Sequence, residues 1–192
     1  MSRLLTGADG VVRCWWCGDD PLYVAYHDDE WGRPTTDERD VFELLALEGF
    51  QAGLAWITIL RKRDAFRAAF DGFDVERVAA YGEPEVERLL GDAGIVRHRG
   101  KIEATIALAR TSLDLQAEGS SLSELVWSHA PPARTRPLGP DDDLPSSTPE
   151  SVALSAALKA RGARFVGPTI VYAFMQSAGL VDDHLIGCHR AG

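Results

Sequence analysis

Thiols and imidazoles stand at the two ends of the chain, with Cys14, Cys17 and His27 near the start and His184, Cys188 and His189 near the finish. Zinc favours Cys and His donors in four-coordinate tetrahedral shells, and two ligands from each end would pin the termini together and make metal binding part of folding. Cys14, His27, His184 and Cys188 form the preferred set. Four protein ligands leave no open position for water, so a zinc ion there would be structural rather than catalytic. Spacing leaves two alternatives open: Cys14-x-x-Cys17 could supply both N-terminal ligands, and His189 could replace His184. The plainer reading of the same residues is buried cysteines beside solvated histidines. Three cysteines, an odd number, suit thiolate chemistry better than a disulfide framework.

A second set gathers aromatics around one acid: Trp15, Trp16, Tyr23, Tyr26 and Trp31, then Glu48 and Trp56, so that four of the five tryptophans fall in one short span. Aromatic faces and a carboxylate suit a flat, cationic ring, by stacking, cation-π attraction and hydrogen bonding. Core packing accounts for each aromatic taken singly. It does not account for Glu48, a carboxylate inside the apolar stretch LLALEGFQAGLAW, where an acid is rare unless paired or functional. A third set is DAGIVRHRGKI, residues 92 to 102. A tight turn at Gly94 would let backbone N–H groups face a phosphate, while the next helix N-terminus and Arg97, Arg99 and Lys101 add favourable charge. By itself this could equally be an ordinary helical corner.

The elements that must hold these groups read as helices almost throughout. Thr35 with Glu38 matches a capping box ahead of Val41, Leu44 and Leu45 at helical spacing. One apolar-periodic stretch runs from Leu54 through Phe66 to Phe70, and a short one from Asp74 to Ala80. EVERLLGDAG after Pro84 is expected to end on Gly94, and Lys101 to begin a long helix with Ile102, Ile106, Ala109 and Leu113 on one face. Ser121 with Glu124 predicts another capped start, Thr148-Pro149 an N-cap before a first-turn proline with Gly162 closing that helix, and Thr169 to Ala178 a buried helix. No period-2 segment bounded by hairpin turns stands out, so the expected class is all-α. Residues 131 to 149 hold six of the ten prolines and the run Asp141-Asp142-Asp143, and read as a surface loop within one unit spanning 1 to 192.

Composition bounds the function. Fractions of 45% hydrophobic and 26% charged residues are those of an ordinary globular chain, with no window approaching a membrane span and no apparent secretory signal, so a cytoplasmic protein is expected. A net charge of -9 argues against nucleic acid as a partner. Basic residues nevertheless bunch at Arg61-Lys62-Arg63, at Arg97-His98-Arg99 with Lys101, and at Lys159, Arg161 and Arg164, although any one such run also fits a solvated helix face. A zinc hydrolase is disfavoured by the closed four-ligand shell. A non-catalytic zinc and DNA-binding module would leave the cluster around Glu48 without a use.

Several ordered segments together resemble the 3-methyladenine DNA glycosylase I family of the helix-hairpin-helix glycosylase superfamily: DPLYVAYHDDEWG at 20 to 32, LEGFQAGLAWITIL at 47 to 60, DAGIVRHRGKI at 92 to 102, FVGPTIVYAFMQSAGLVDDH at 165 to 184, and the His184 to Cys188 spacing. The resemblance implies an all-α helix-hairpin-helix glycosylase fold with a structural zinc joining segments of about 13 to 31 and 180 to 189. It implies excision of 3-methyladenine from alkylated double-stranded DNA by base flipping; a monomer is the default expectation. By the same resemblance Cys14, His27, His184 and Cys188 match the zinc ligands, Glu48 and Tyr26 the groups that hydrogen-bond the extruded base, and Trp16, Tyr23 and Trp56 its aromatic walls. Glu48 is the expected catalytic group. Gly94, Ile95, Arg97, Arg99, Gly100 and Lys101 match the DNA-binding hairpin, and Leu54 is the candidate wedge for the gap left by the base. Two departures stand out: Phe50 replaces an expected polar residue beside the lesion, and Cys17 is an additional thiol. No acid follows Lys101 closely except Glu103, so no catalytic aspartate is assigned.

Overall fold

A computed structural model describes residues 3–134 and 136–191. The chain opens with a two-stranded antiparallel hairpin, β1 (Leu4–Thr6) and β2 (Val12–Cys14), in which Leu4 faces Cys14 and Thr6 faces Val12. The sequence reading contained no strand. Three residues each are too few to display an alternating pattern, and the turn is marked only by Gly7 and by Gly10 in a left-handed conformation at φ +78°. Apart from one isolated β-bridge and short 3-10 turns at Trp15–Cys17 and Asp71–Phe73, the rest of the described secondary structure is α-helical: α1 (Pro21–Asp29), α2 (Glu38–Gln51), α3 (Trp56–Leu60), α4 (Arg63–Ala69), α5 (Val75–Ala79), α6 (Glu83–Gly91), α7 (Arg99–Ala117), α8 (Leu122–Trp127), α9 (Pro149–Ala160) and α10 (Pro168–Ser177).

The local signals explain most of these boundaries. Asp20 caps α1 through the N–H groups of Leu22 and Tyr23, with Pro21 at the first helical position. Ser121 caps α8, and Thr148 caps α9 in a reciprocal exchange with Ser151 ahead of Pro149. Three expectations fail. Asp37, not Thr35, caps α2, accepting from Arg39 and Asp40; Thr35 turns its hydroxyl to the Arg33 carbonyl. Glu38 instead reaches across the fold to Ser112 Oγ and to the backbone N–H groups of Leu122 and Ser123, at 2.6 to 2.9 Å, so its charge sits on the N-terminus of α8. The periodic stretch from Leu54 to Phe70 is two short helices broken at Arg61 and Lys62. The pattern survives the break because both bury the same face, through Ile59, Leu60, Phe66 and Ala69. Finally, α6 stops at Gly91 and leaves Gly94 within the turn to α7.

The main core lies between α2, α7 and α10, with Phe42, Phe50, Phe66, Phe70, Ile102, Val171 and Phe174 fully buried. A smaller cluster of Cys14, Leu185 and Cys188 ties the β-hairpin to the C-terminal segment. The connection between α1 and α2 runs along the end of α10: the N–H groups of Gly32 and Thr35 donate to the carbonyls of Gln176 and Ala178. Gly179 permits this approach, since a Cβ there would lie 2.4 Å from the Arg33 carbonyl carbon. That seam brings the two ends of the chain together. The described residues between 131 and 148 form no helix; Thr135 lies outside them. They are more than a surface excursion, because Leu138 makes a parallel bridge to Leu185 and Arg134 pairs with Asp183.

Candidate functional site

The hairpin, α1 and the segment after α10 converge on four buried donors, Cys14, His27, His184 and Cys188, whose ligand atoms all lie within 4.8 Å of one another. Cys188 Sγ stands 3.5 Å from His27 Nε2 and 3.7 Å from His184 Nδ1, and Cys14 Sγ stands 3.9 Å from His184 Nδ1. The surroundings fix which nitrogen of each imidazole turns inward. His27 Nδ1 meets the Asp28 carboxylate at 2.8 Å and His184 Nε2 meets the Trp31 carbonyl at 3.2 Å, so each ring gives its proton outward and presents a lone pair to its partners. Cys188 is pushed toward the thiolate by its hydrogen bonds, first with Cys14 and then with His184 and His27, and Cys14 is pushed up by that same contact and by burial. Two thiols, two oriented imidazoles and carboxylate or carbonyl support make a donor set that could hold a soft divalent cation. Both sequence alternatives lie outside it. Cys17 points its thiol at the carbonyls of Cys14 and Gly18, and His189 pairs with Asp28 at 2.8 Å.

Beside this cluster a cavity of about 190 Å³ opens between α1, α2 and α10, lined by Trp15, Trp16, Tyr23, Tyr26, Trp31 and Trp56 and by the polar groups of Glu48, Gln51, Gln176, Ser177 and Asp183. The rings brace one another: Trp16 sits 5.1 Å from Tyr23 and 4.9 Å from Trp31 in edge-on geometry, and Tyr26 sits 5.6 Å from Trp56. Glu48 is 2% exposed, and its one hydrogen-bond partner among the described residues is the Ser177 hydroxyl, which donates to Oε1 at 2.8 Å. Burial pushes its carboxyl up to about 8, with Ser177 opposing, so Glu48 is mainly a neutral acid at pH 7. Burial, and then the charge of Glu48, also raises the phenols of Tyr23 and Tyr26. The Tyr26 hydroxyl, near enough to Ser177 to feel it but without an aligned bond, and Trp56 Nε1 are buried polar atoms with no hydrogen-bond partner among the described residues. Such atoms are costly unless something else satisfies them, and here they flank a cavity.

Sequence reasoning thus named Tyr23 and Tyr26 on α1 and Glu48 on α2, but not Gln51 at the end of α2, among the residues that line this cavity. It missed Gln176, Ser177 and Asp183, whose signal was a polar pair interrupting the apolar run of α10 and an acid adjoining His184. Phe50 is a correction. It is fully buried against Phe66 and Phe70, with ring centroids 4.6 and 5.9 Å away, and does not border the cavity.

The basic hairpin is also rearranged from expectation. Lys101 is not offered to solvent: its ammonium donates to the carbonyls of Phe50 and Ala52 at 2.8 and 2.6 Å, closing the end of α2. The Gly94 N–H is held by the Asp92 carboxylate at 2.7 Å, and Ile95 is buried in the core. Arg99 pairs with Glu83, Glu87 and Glu103, while Gly100 packs in the first turn of α7 beside the His98 ring. Arg61, Arg63, Arg161 and Arg164 also have acidic partners. Arg97 is exposed and makes no ion pair among the described residues. Leu54 stands 39% exposed in the turn after α2, where Gln51 of the cavity wall holds its carbonyl at 3.0 Å.

A helical body whose termini meet at a Cys/His cluster, next to an aromatic cavity floored by a buried acid, is an arrangement that can accommodate a flat, cation-prone ring. The chain belongs to the methyladenine glycosylase family, whose model matches residues 16–191. It is 52% identical over 181 residues to DNA-3-methyladenine glycosylase 1 of Escherichia coli K12, covering 93% of this chain and 96% of that one. It is 44% identical to the DNA-3-methyladenine glycosylase of Haemophilus influenzae, with 93% and 97% covered. A crystal structure of 3-methyladenine DNA glycosylase I superimposes with a TM-score of 0.90 at 53% identity, covering 94% of this chain and all of the other. A second, described as showing the basis of 3-methyladenine recognition in the Staphylococcus aureus enzyme, gives 0.84 at 39%, covering 90% and 93%. Among the described residues no helix is long and apolar enough to cross a membrane.

Proposed function

We propose that this chain is a base-excision repair glycosylase that flips 3-methyladenine out of alkylated duplex DNA and hydrolyses its N-glycosidic bond. The observation that carries the reading is one cavity lined by buried Glu48 together with Trp16, Tyr23, Tyr26 and Trp56, where the Tyr26 hydroxyl and the Trp56 indole N–H have no hydrogen-bond partner among the described residues. A relative bound to 3-methyladenine superimposes on the chain with a TM-score of 0.84, and the curated relatives are named for the same lesion.

Methylation at N3 makes the adenine a cation. When the bond from C1′ to the base nitrogen breaks, the electron pair returns to the ring and the base leaves neutral, so little help from a general acid is required. Water adds to C1′ and releases a proton; no residue is assigned to activate it. Extruding a base costs a few kcal/mol, least for a damaged one, and the cavity must return that cost selectively. Stacking on Trp16, Tyr23 and Trp56 with attraction to the ring faces favours a cation over neutral adenine. A cationic base also lowers the pKa of Glu48, so near neutral pH the carboxylate is favoured when the charged lesion arrives. Glu48 then accepts from the base edge, Tyr26 donates or accepts as a neutral phenol, and Trp56 Nε1 seeks an acceptor.

Outside the cavity, exposed Leu54 would fill the gap left in the stack. Arg97, with Arg99 after release from its exposed ion pairs, meets phosphates beside the turn at 92–98, which serves as the hairpin. The Cys14, His27, His184 and Cys188 cluster suits zinc, which would fasten the ends of a single glycosylase unit and take no part in bond cleavage. A cytoplasmic location and a monomeric state accord with this work on DNA.

The test is release of free bases from methylated duplex DNA by the wild type and by Glu48→Gln, with chromatographic identification. Release of 3-methyladenine but not 7-methylguanine, impaired in the mutant, is expected. No release of any base by folded, zinc-loaded wild type would overturn the reading.

A further inference from the structure

The aromatic walls and Glu48 leave one end of the cavity unexplained. Gln176 and Asp183 both line it, and Asp183, 3% exposed, accepts from three side chains. Its Oδ2 takes the Tyr172 hydroxyl and Gln176 Nε2, each at 2.7 Å, and its Oδ1 takes the guanidinium of Arg134. An ionised carboxylate only accepts, so the amide of Gln176 must turn its nitrogen toward Asp183. Tyr172 cannot relax this arrangement by ionising, because burial and then the bond to Asp183 push its pKa up and keep it a donor. The Gln176 oxygen is left over. It accepts from no group among the described residues and is not among the sealed, unpartnered atoms, so it stays accessible.

We propose that Gln176 is a specificity-determining residue that offers a carbonyl acceptor to the 6-position of the extruded base, and that Asp183 is the positioning residue that fixes the amide that way round. The proposal rests on the glycosylase reading of the cavity. A 6-amino group, as in 3-methyladenine, donates to this oxygen. A 6-oxo group, as in 3-methylguanine, sets oxygen against oxygen, and a site built around a particular hydrogen bond rejects the mismatched ligand. Arg134 neutralises Asp183, which leaves Glu48 as the uncompensated acid facing a cation. The pairing also gives the Pro-rich stretch a task, since Arg134 lies within it.

The experiment compares the rates at which 3-methyladenine and 3-methylguanine are released from one methylated duplex by the wild type, Gln176→Met and Asp183→Asn. Taking the ratio within one preparation cancels any loss of active protein. About a tenfold fall in the ratio is expected for Gln176→Met, the value of one hydrogen bond, and a smaller fall for Asp183→Asn, whose amide lets Gln176 turn over. Rates that fall together at constant ratio would assign both residues a structural role and overturn the proposal. Tryptophan fluorescence titration of wild type and Gln176→Met with the two free bases gives an independent readout that does not need Asp183→Asn to fold. A preference for 3-methyladenine that disappears in Gln176→Met supports the proposal even if the wild type releases no base, an outcome that would sink only the catalytic reading. Equal affinity of the wild type for both bases overturns it.

Discussion

Replacing Glu48 by glutamine is expected to stabilise the fold while weakening the site. The carboxyl is 2% exposed with one hydroxyl partner, and burial raises it from its ordinary value of 4.5 to about 8. A group raised in the folded state contributes its full stability below the unfolded value, and that contribution is lost as pH rises toward the folded one. For Glu48 the loss therefore runs from about pH 4.5 to 8. At about 1.4 kcal/mol per tenfold change in proton concentration the ceiling is about 5 kcal/mol, which relaxation around the charge will reduce. Glutamine has nearly the same shape and does not titrate. The difference in Tm between Glu48→Gln and wild type should thus be small at pH 5 and widen to pH 8.5, by on the order of 10 °C at ~2–4 °C per kcal/mol for a chain of this size. Scanning calorimetry of both proteins across that range is the assay. A gap that stays constant with pH would show that the buried carboxyl does not titrate as described, and the charge-triggered account of base selection would fall with it.

The same residue sets a pH dependence of activity: kcat/KM for 3-methyladenine release should rise up to about pH 8 in the wild type and lose that rise in Glu48→Gln, as pH-rate profiles will show. Metal analysis should find one zinc per chain. Asp28→Ala, which removes the carboxylate behind His27, should weaken zinc retention ~10–100-fold in a chelator competition without altering the four ligands. Lys101→Met should lower stability by roughly 1–3 kcal/mol by orphaning the carbonyls of Phe50 and Ala52, with no change in the salt dependence of DNA binding. Arg97→Ala should do the reverse, reducing the slope of log K against log salt by about one while leaving Tm alone, measured by binding titrations at several salt concentrations.

Local order and chemical type were legible in the sequence, and their physical basis is short-range. A cap acts on N–H groups two or three residues away, as Asp20, Ser121 and Thr148 do, and apolar spacing along α7 and α10 records the face that each helix buries. The cluster of Cys14, His27, His184 and Cys188 could be suspected because thiols and imidazoles have few other reasons to gather at both ends of a chain, and Glu48 because an acid in an apolar run calls for an explanation. The sequence could not say that Cys17 and His189 stand aside, since that depends on which nitrogens Asp28 and Trp31 hold.

Only the tertiary structure decided the groups whose partners lie far along the chain. Glu38 looks like half of a local capping box, yet it serves the start of α8; Lys101 looks like a phosphate ligand, yet it seals the end of α2. Both have long side chains, and a long side chain goes to whichever orphaned backbone group the packed fold leaves within reach. The polar end of the cavity obeys the same rule. Gln176 becomes informative only when Asp183, Tyr172 and Arg134 are seen to close on it, because the direction of an amide is set by its neighbours in space and not by its neighbours in sequence.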